Sequence, residues 1–226
     1  MHCFWCLEDM QTEIDWSNFL FLRKPTALCE ACSKNLQVLT GKRCKKCSRE
    51  TTLELCQDCQ WWQRETVEDP LLRNHSIFHY NKYMQDVVAK WKYRGDYVLA
   101  NIFKPYVEKE FMKIYKDIAR EAIIMPIPLS TERMQERAFN QAEAIANFLP
   151  GKQQPILQRK RGEKQSKKKR EERIRATNPF TLAKTINKPV VLVDDIYTTG
   201  ATLRHAAQLL KDNGCPAVYA FTLIRG

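Results

Sequence analysis

Three groups of residues in this 226-residue chain have types and spacings suited to chemistry. The first is Asp194-Asp195 followed by Thr198, Thr199, Gly200, Ala201 and Thr202. Four apolar residues, Val190 to Val193, precede it and predict a strand buried on both faces. Leu203, Ala206, Ala207 and Leu210 come next at helical spacing, with Gly214 as the stop. A loop that feeds a helix N-terminus offers unbonded N–H groups and the positive end of a dipole, which suits a phosphate. Two adjacent carboxylates repel phosphate. They can accept hydrogen bonds from ribose hydroxyls or hold a Mg²⁺ that carries phosphates. A polar turn between strand and helix needs neither paired Asp residues nor three Thr.

The second group is the set of pairs Cys3/Cys6, Cys29/Cys32, Cys44/Cys47 and Cys56/Cys59, all in the first quarter of the chain. Each Cys-x-x-Cys puts two sulfurs on one tight turn, half of a tetrahedral Zn²⁺ shell. Four pairs predict two Cys₄ sites holding structural zinc, or one site and a degenerate pair. Pairing in sequence order closes the shorter loops, and an interleaved arrangement stays open. Disulfides are disfavoured in a reducing compartment, and a redox Cys-x-x-Cys usually stands once in a βαβ setting. Cys215, the ninth, reads as a small core residue.

The third group is Arg133 and Arg137, four apart where the predicted strand 122–127 gives way to a predicted helix at 137–149. Guanidinium groups suit bidentate phosphate binding. The alternative is a solvated helix start.

The elements that must position these groups alternate. A strand at 76–80 leads to a helical face of Met84, Val87, Val88 and Trp91, and a second amphipathic segment covers 97–115. Short strands are expected at 155–157 and 217–224. This order predicts an α/β protein with a mainly parallel sheet. Residues 1–62 form a Cys-rich module that ends in Trp61-Trp62, expected to pack against the next domain. Residues 63–75 read as linker, and 76–226 as the α/β domain.

Hydrophobic residues make up 44% of the chain, ordinary for a globular protein, and no apolar run is long enough to span a membrane. The N-terminal residues lack a signal-peptide pattern, so a cytoplasmic location is expected, with the inner face of the membrane left open. The formal charge of +11 favours polyanionic partners, and two zinc ions on eight thiolates would leave about +7. Residues 159–175 are rich in Lys and Arg and read as a mobile basic loop.

The Asp194–Thr202 pattern resembles the signature of type I phosphoribosyltransferases, which bind phosphoribosyl pyrophosphate (PRPP). The resemblance extends over nearly the whole chain to the ComF family of competence proteins. It is carried by the Cys pairs, Lys92-Tyr93-Arg94-Gly95, Pro126-Ile127-Pro128-Leu129, Arg133, Arg137-Ala138-Phe139-Asn140-Gln141, Gln165-Ser166, Arg173, Asn178-Pro179-Phe180 and the acidic pair. Where the family usually has Gly, this chain has Ala138, which would weaken binding if the backbone there needs a positive φ or a very close phosphate approach.

The resemblance implies a zinc finger ahead of a type I phosphoribosyltransferase-type domain, working in single-stranded DNA uptake during natural transformation. Asp194 and Asp195 would hold the ribose as catalytic residues, and Thr198, Thr199, Gly200, Ala201 and Thr202 the 5′-phosphate. Arg133 and Arg137 would bind pyrophosphate, and Mg²⁺ would accompany PRPP. The implied partners are PRPP, single-stranded DNA and other cytoplasmic uptake proteins such as a helicase or strand-loading factor, with no membrane insertion. Lys167, Lys168 and Lys169 are the expected DNA contacts. Three readings stand open: an enzyme with an unknown acceptor, an inactive PRPP-regulated DNA-binding protein, and an adaptor.

Overall fold

The computed structural model describes residues 1–10, 26–93, 96–160 and 178–226. Arg94, Gly95, Gln165, Ser166, Arg173 and the expected DNA contacts Lys167, Lys168 and Lys169 lie outside the described residues.

Five strands form one parallel sheet: β1 (Asn74–His79), β2 (Ile123–Pro126), β3 (Lys152–Gln153), β6 (Val190–Tyr197) and β7 (Val218–Arg225), in the spatial order β1-β7-β6-β2-β3. The α/β reading with a parallel sheet is what the structure shows. Two short strands, β4 (Leu157–Arg159) and β5 (Phe180–Leu182), pair antiparallel outside that sheet. The expected strand at 155–157 therefore lies two residues later, and its partner β5 has too little apolar sequence to be seen in advance.

Period-two alternation along β6 builds two cores. Val191 and Val193 face one way, with Phe221 and Leu223 of β7, and are covered by α3 (Lys82–Tyr93), a 3-10 turn (Tyr97–Ile102), α4 (Lys104–Tyr115) and α6 (Gln141–Ala146). Val190, Leu192 and Ala220 face the other way, under α7 (Ala201–Asp212). The amphipathic segment 97–115 is thus two elements, because Pro105 lies at the start of α4, where a missing N–H costs nothing.

The Cys-rich region packs into both cores. Cys3 and Cys32 join the first, beside Ile77 and Met84, and Cys44, Cys47, Cys56 and Cys59 join the second, beside Leu71 and Tyr197. The helix α1 (Glu30–Lys34) leads into a segment that covers the outer edge of β1. Leu39 N donates to Ile77 O at 2.8 Å and His79 N to Gln37 O at 2.9 Å. This blunts an edge that would otherwise present unpaired backbone groups.

The predicted helix 137–149 is interrupted. Helix α5 (Thr131–Arg137) ends at Ala138, which is left-handed with φ 65° and ψ −13°. Asn140 then starts α6, its side chain accepting from Ala142 N at 3.0 Å and its Nδ2 donating to Ile127 O at 3.0 Å. Asx capping outcompetes helix continuation here. A β-carbon at φ 65° costs conformational energy that glycine avoids. Ala138→Gly is therefore expected to raise the melting temperature, by an amount corresponding to about 0.5–1 kcal/mol, which calorimetric unfolding of both proteins checks.

Candidate functional site

The site begins with the pairing of β2 and β6. Met125 lies opposite Leu192 and Pro126 opposite Val193, so β2 finishes just before Asp194, beside the last four residues of β6. From β2 the sheet grows toward β3, and from β6 it grows the other way toward β7. A crevice opens at such a reversal, beyond the carboxyl ends of the strands. Here it is a pocket of about 250 Å³ lined from the β6 side by Asp194, Asp195 and Thr202, and from the β2 side by Leu129, Arg133, Arg137 and Gln141. Lys92 at the end of α3 and Arg159 of β4 complete the wall.

Arg133 and Arg137 are on one helix and both reach the pocket. Ser130 caps that helix by accepting from Arg133 N at 3.4 Å. Arg137 is buried. Its Nη1 donates to Gln141 Oε1 at 3.0 Å, and its guanidinium lies 5.7 Å from the Tyr93 ring centroid. Two buried donors on this wall, Arg137 Nε and Gln141 Nε2, have no hydrogen-bond partner among the described residues. Buried donors of this kind are rare unless a ligand or water completes them.

The acidic pair departs from its expected place. β6 runs on to Tyr197, so Asp194 and Asp195 lie within the strand and not beyond its end. β7 extends as far as Arg225 and keeps the ladder going, with Asp194 opposite Thr222 and Tyr197 opposite Arg225. Both carboxylate residues are also only partly exposed. The Asp195 side chain is 13% exposed and forms an ion pair with Lys92.

The two acids titrate in opposite directions. Burial, together with the neighbouring Asp195 charge, pushes Asp194 up to about 7. Burial works against Asp195 too, but the charge and hydrogen bond of Lys92 outweigh it and hold Asp195 ionised below the usual carboxylate range. Lys92 was visible in the sequence only as part of Lys92-Tyr93-Arg94-Gly95, with no role attached. Its proximity to Asp195 depends on where α3 ends. Arg159 stood in the basic stretch and is brought to the pocket by β4.

Of the loop residues, Thr202 lines the pocket, while Thr198 is exposed and Gly200 buried. Gly200 is the N-cap of α7 with φ 77°, and no side chain caps that helix. A β-carbon at Gly200 would overlap Tyr197 Oη and Arg204 Nη1, so only glycine fits. Ala201 N donates to Thr199 Oγ1 at 3.3 Å, and the remaining first-turn amides of α7 suit an anion.

Away from the pocket, the cysteines gather into two groups in sequence order: Cys3, Cys6, Cys29 and Cys32, and Cys44, Cys47, Cys56 and Cys59. Within each, the four sulfurs lie within 4.8 Å of one another. Cys6 Sγ and Cys29 Sγ are 3.8 Å apart, and Cys47 Sγ and Cys56 Sγ 3.5 Å. Tetrahedral zinc with Zn–S of about 2.3 Å needs sulfur separations of about 3.8 Å, and a disulfide needs about 2 Å. Both groups could hold zinc. Cys215 is buried, as expected, with its Sγ donating to Lys188 O at 3.2 Å. No described helix is long and apolar enough to cross a membrane.

Residues 135–226, which hold the acidic pair and its loop, match the phosphoribosyl transferase domain family. Competence protein ComFC of Bacillus subtilis (strain 168) is 37% identical over 230 residues, covering 99% of this chain and 94% of that protein. The chain belongs to the ComFC family of competence proteins. The Streptococcus pneumoniae (strain ATCC BAA-255 / R6) ComFC is 33% identical, with 100% of both chains covered. Competence protein F of Haemophilus influenzae (strain ATCC 51907 / DSM 11121 / KW20 / Rd) is 26% identical over 88% of this chain and 90% of that protein.

The Asp194 titration has a direct consequence for stability. An acid whose pKa is higher folded than unfolded binds more protons in the folded state, so stability falls as pH rises from the unfolded value toward the folded one. Asp194→Asn removes that penalty. Its melting temperature is expected to match the wild type near pH 4 and to exceed it by a growing margin up to pH 8, measured in one series of buffers of equal ionic strength.

Proposed function

We propose that this ComFC-family chain binds PRPP with Mg²⁺ at the β2–β6 crevice and is a type I phosphoribosyltransferase that acts in single-stranded DNA uptake. One observation carries the reading. An acidic pair suited to ribose hydroxyls and two arginines suited to pyrophosphate meet across one pocket, and two buried donors there await a partner. The amides of the Thr198–Thr202 loop then take the 5′-phosphate. Both ends of the ligand are anionic and its ribose is neutral, as the charge pattern of the pocket requires.

In this reading Asp195 exchanges the Lys92 ammonium for ribose hydroxyls, and Lys92 is released toward the phosphates. Arg133 and Arg137 offset the charge that collects on pyrophosphate as its bond to ribose C1 breaks. The Mg²⁺ that PRPP brings supplies further charge neutralisation. The acceptor enters from the face that holds Lys92 and Tyr93. Lys167, Lys168 and Lys169 serve the DNA side, supported by the basic charge of the chain and by its membership of a competence family. Zinc in the two cysteine groups contributes folding free energy to the N-terminal region.

Four measurements test this. Calorimetric titration with PRPP and Mg²⁺ is expected to show binding that Asp195→Asn weakens at least about tenfold, since charge-assisted hydrogen bonds contribute roughly 1.5–3 kcal/mol each. The same substitution leaves Lys92 without its partner, so it should also lower the melting temperature, in contrast to Asp194→Asn. Equal affinity in wild type and variant would refute the ribose assignment. Pyrophosphate release with a panel of acceptors then separates an enzyme from a PRPP sensor. Elemental analysis of the purified protein is expected to find two zinc ions per chain, and none would refute the zinc reading.

A further inference from the structure

The four carbonyl groups from Tyr197 to Gly200 all have donors. Gly226 N and Arg225 Nη1 donate to Tyr197 O at 2.9 and 3.1 Å, and Arg225 Nη1 also donates to Thr198 O at 3.0 Å. Trp62 Nε1 donates to Thr199 O at 3.0 Å, and Arg204 N donates to Gly200 O at 3.0 Å. In a trans peptide the C=O and the following N–H point in opposite directions. Holding the carbonyls of Tyr197, Thr198 and Thr199 from behind therefore turns the amides of Thr198, Thr199 and Gly200 forward.

The groups that hold them belong to the second cysteine group. Helix α2 (Gln57–Glu65) starts at its N-cap Cys56, contains Cys59 and carries Trp62 one turn later. Arg225 Nη2 donates to Cys47 Sγ at 3.6 Å, so one guanidinium touches both a cysteine of the group and the loop. Arg204 locks the assembly. Its Nε and Nη2 donate to the Asp69 carboxylate at 3.0 and 2.9 Å, its Nη1 donates to Tyr197 Oη at 2.8 Å, and it lies 4.5 Å from the Trp62 ring centroid. Trp62, Arg204 and Arg225 are all more than nine-tenths buried, where such bonds are not exchanged for water.

We propose that Trp62 and Arg225 are positioning residues for the phosphate loop, and that through them the Cys44–Cys47–Cys56–Cys59 group and the ligand pocket form one thermodynamic unit. This rests on the reading that the loop takes the PRPP 5′-phosphate. Metal on the cysteines fixes α2 and the Arg225 contact, which fixes the loop carbonyls and so aims the amides. Coupling between two binding events is reciprocal, so PRPP must tighten zinc as much as zinc tightens PRPP.

The test uses the full zinc-loaded chain. Trp62→Phe keeps an aromatic ring beside Arg204 and removes the Nε1 donor together with part of the ring volume, and Trp61→Phe is the matched control for the loss of volume. Trp62→Phe is expected to weaken PRPP–Mg²⁺ binding by about three- to tenfold in calorimetry, with Trp61→Phe unchanged. Chelator competition is expected to show that saturating PRPP raises the affinity for one of the two zinc ions in the wild type, and by a smaller factor in Trp62→Phe. A simple packing role for Trp62 would not move that linkage. Wild type that binds PRPP with no change in affinity for either zinc overturns the coupling, as does Trp62→Phe with unaltered PRPP affinity. Wild type that fails to bind PRPP overturns the phosphate reading and the coupling together. Should Trp62→Phe not fold, the linkage measured on the wild type decides alone.

Discussion

The crevice in this molecule depends on the parallel pairing of β2 with β6. These strands are more than sixty residues apart in the chain and have no local reason to meet. Their apolar residues are buried on both faces, which is the condition for a parallel pair inside an α/β sheet. Once Met125 lies opposite Leu192, the chain leaving β2 passes beside the Asp194–Tyr197 end of β6. Arginines from one and carboxylates from the other then face each other without any further device.

The cysteine groups serve the same sheet from its two sides. The first lies with the α3–α4 layer, and the second with α7. The N-terminal region is therefore not an appendage hung from a linker. It supplies wall to both cores, and its residues 36–39 seal the edge of β1. A region this polar gains little from apolar burial alone, and metal on its two cysteine groups, which could hold it, would add the local rigidity that such turns provide.

Charge inside the crevice is balanced unevenly. Lys92 takes Asp195 as its partner, which leaves Asp194 to be buried beside a like charge, and it responds by holding its proton toward neutral pH. Adjacent carboxylates of the same type thus have different roles because one helix ends at the right place. The left-handed Ala138 serves position in the same way: it lets α5 stop with Arg137 turned inward and α6 begin with Asn140 tied to Ile127.

The amino-acid sequence alone determined the alternation of strands and helices, the four Cys-x-x-Cys pairs and the residue types that meet in the crevice, while the grouping of those pairs into two sets was left to the fold. These are local properties. Apolar periodicity, Cys-x-x-Cys spacing and a Gly that no other residue could replace are each set within about ten residues of chain. The family resemblance marked Ala138 as a departure, and the structure shows that the backbone there does have a positive φ. Tertiary structure decided what depends on distant neighbours. β6 continues past its acidic pair because β7 is there to pair with it, and the carboxylates are covered because α3 delivers Lys92. Trp62 meets the Thr198–Thr202 loop, with Thr199 137 residues away, because the fold presents Thr199 O to its buried indole N–H.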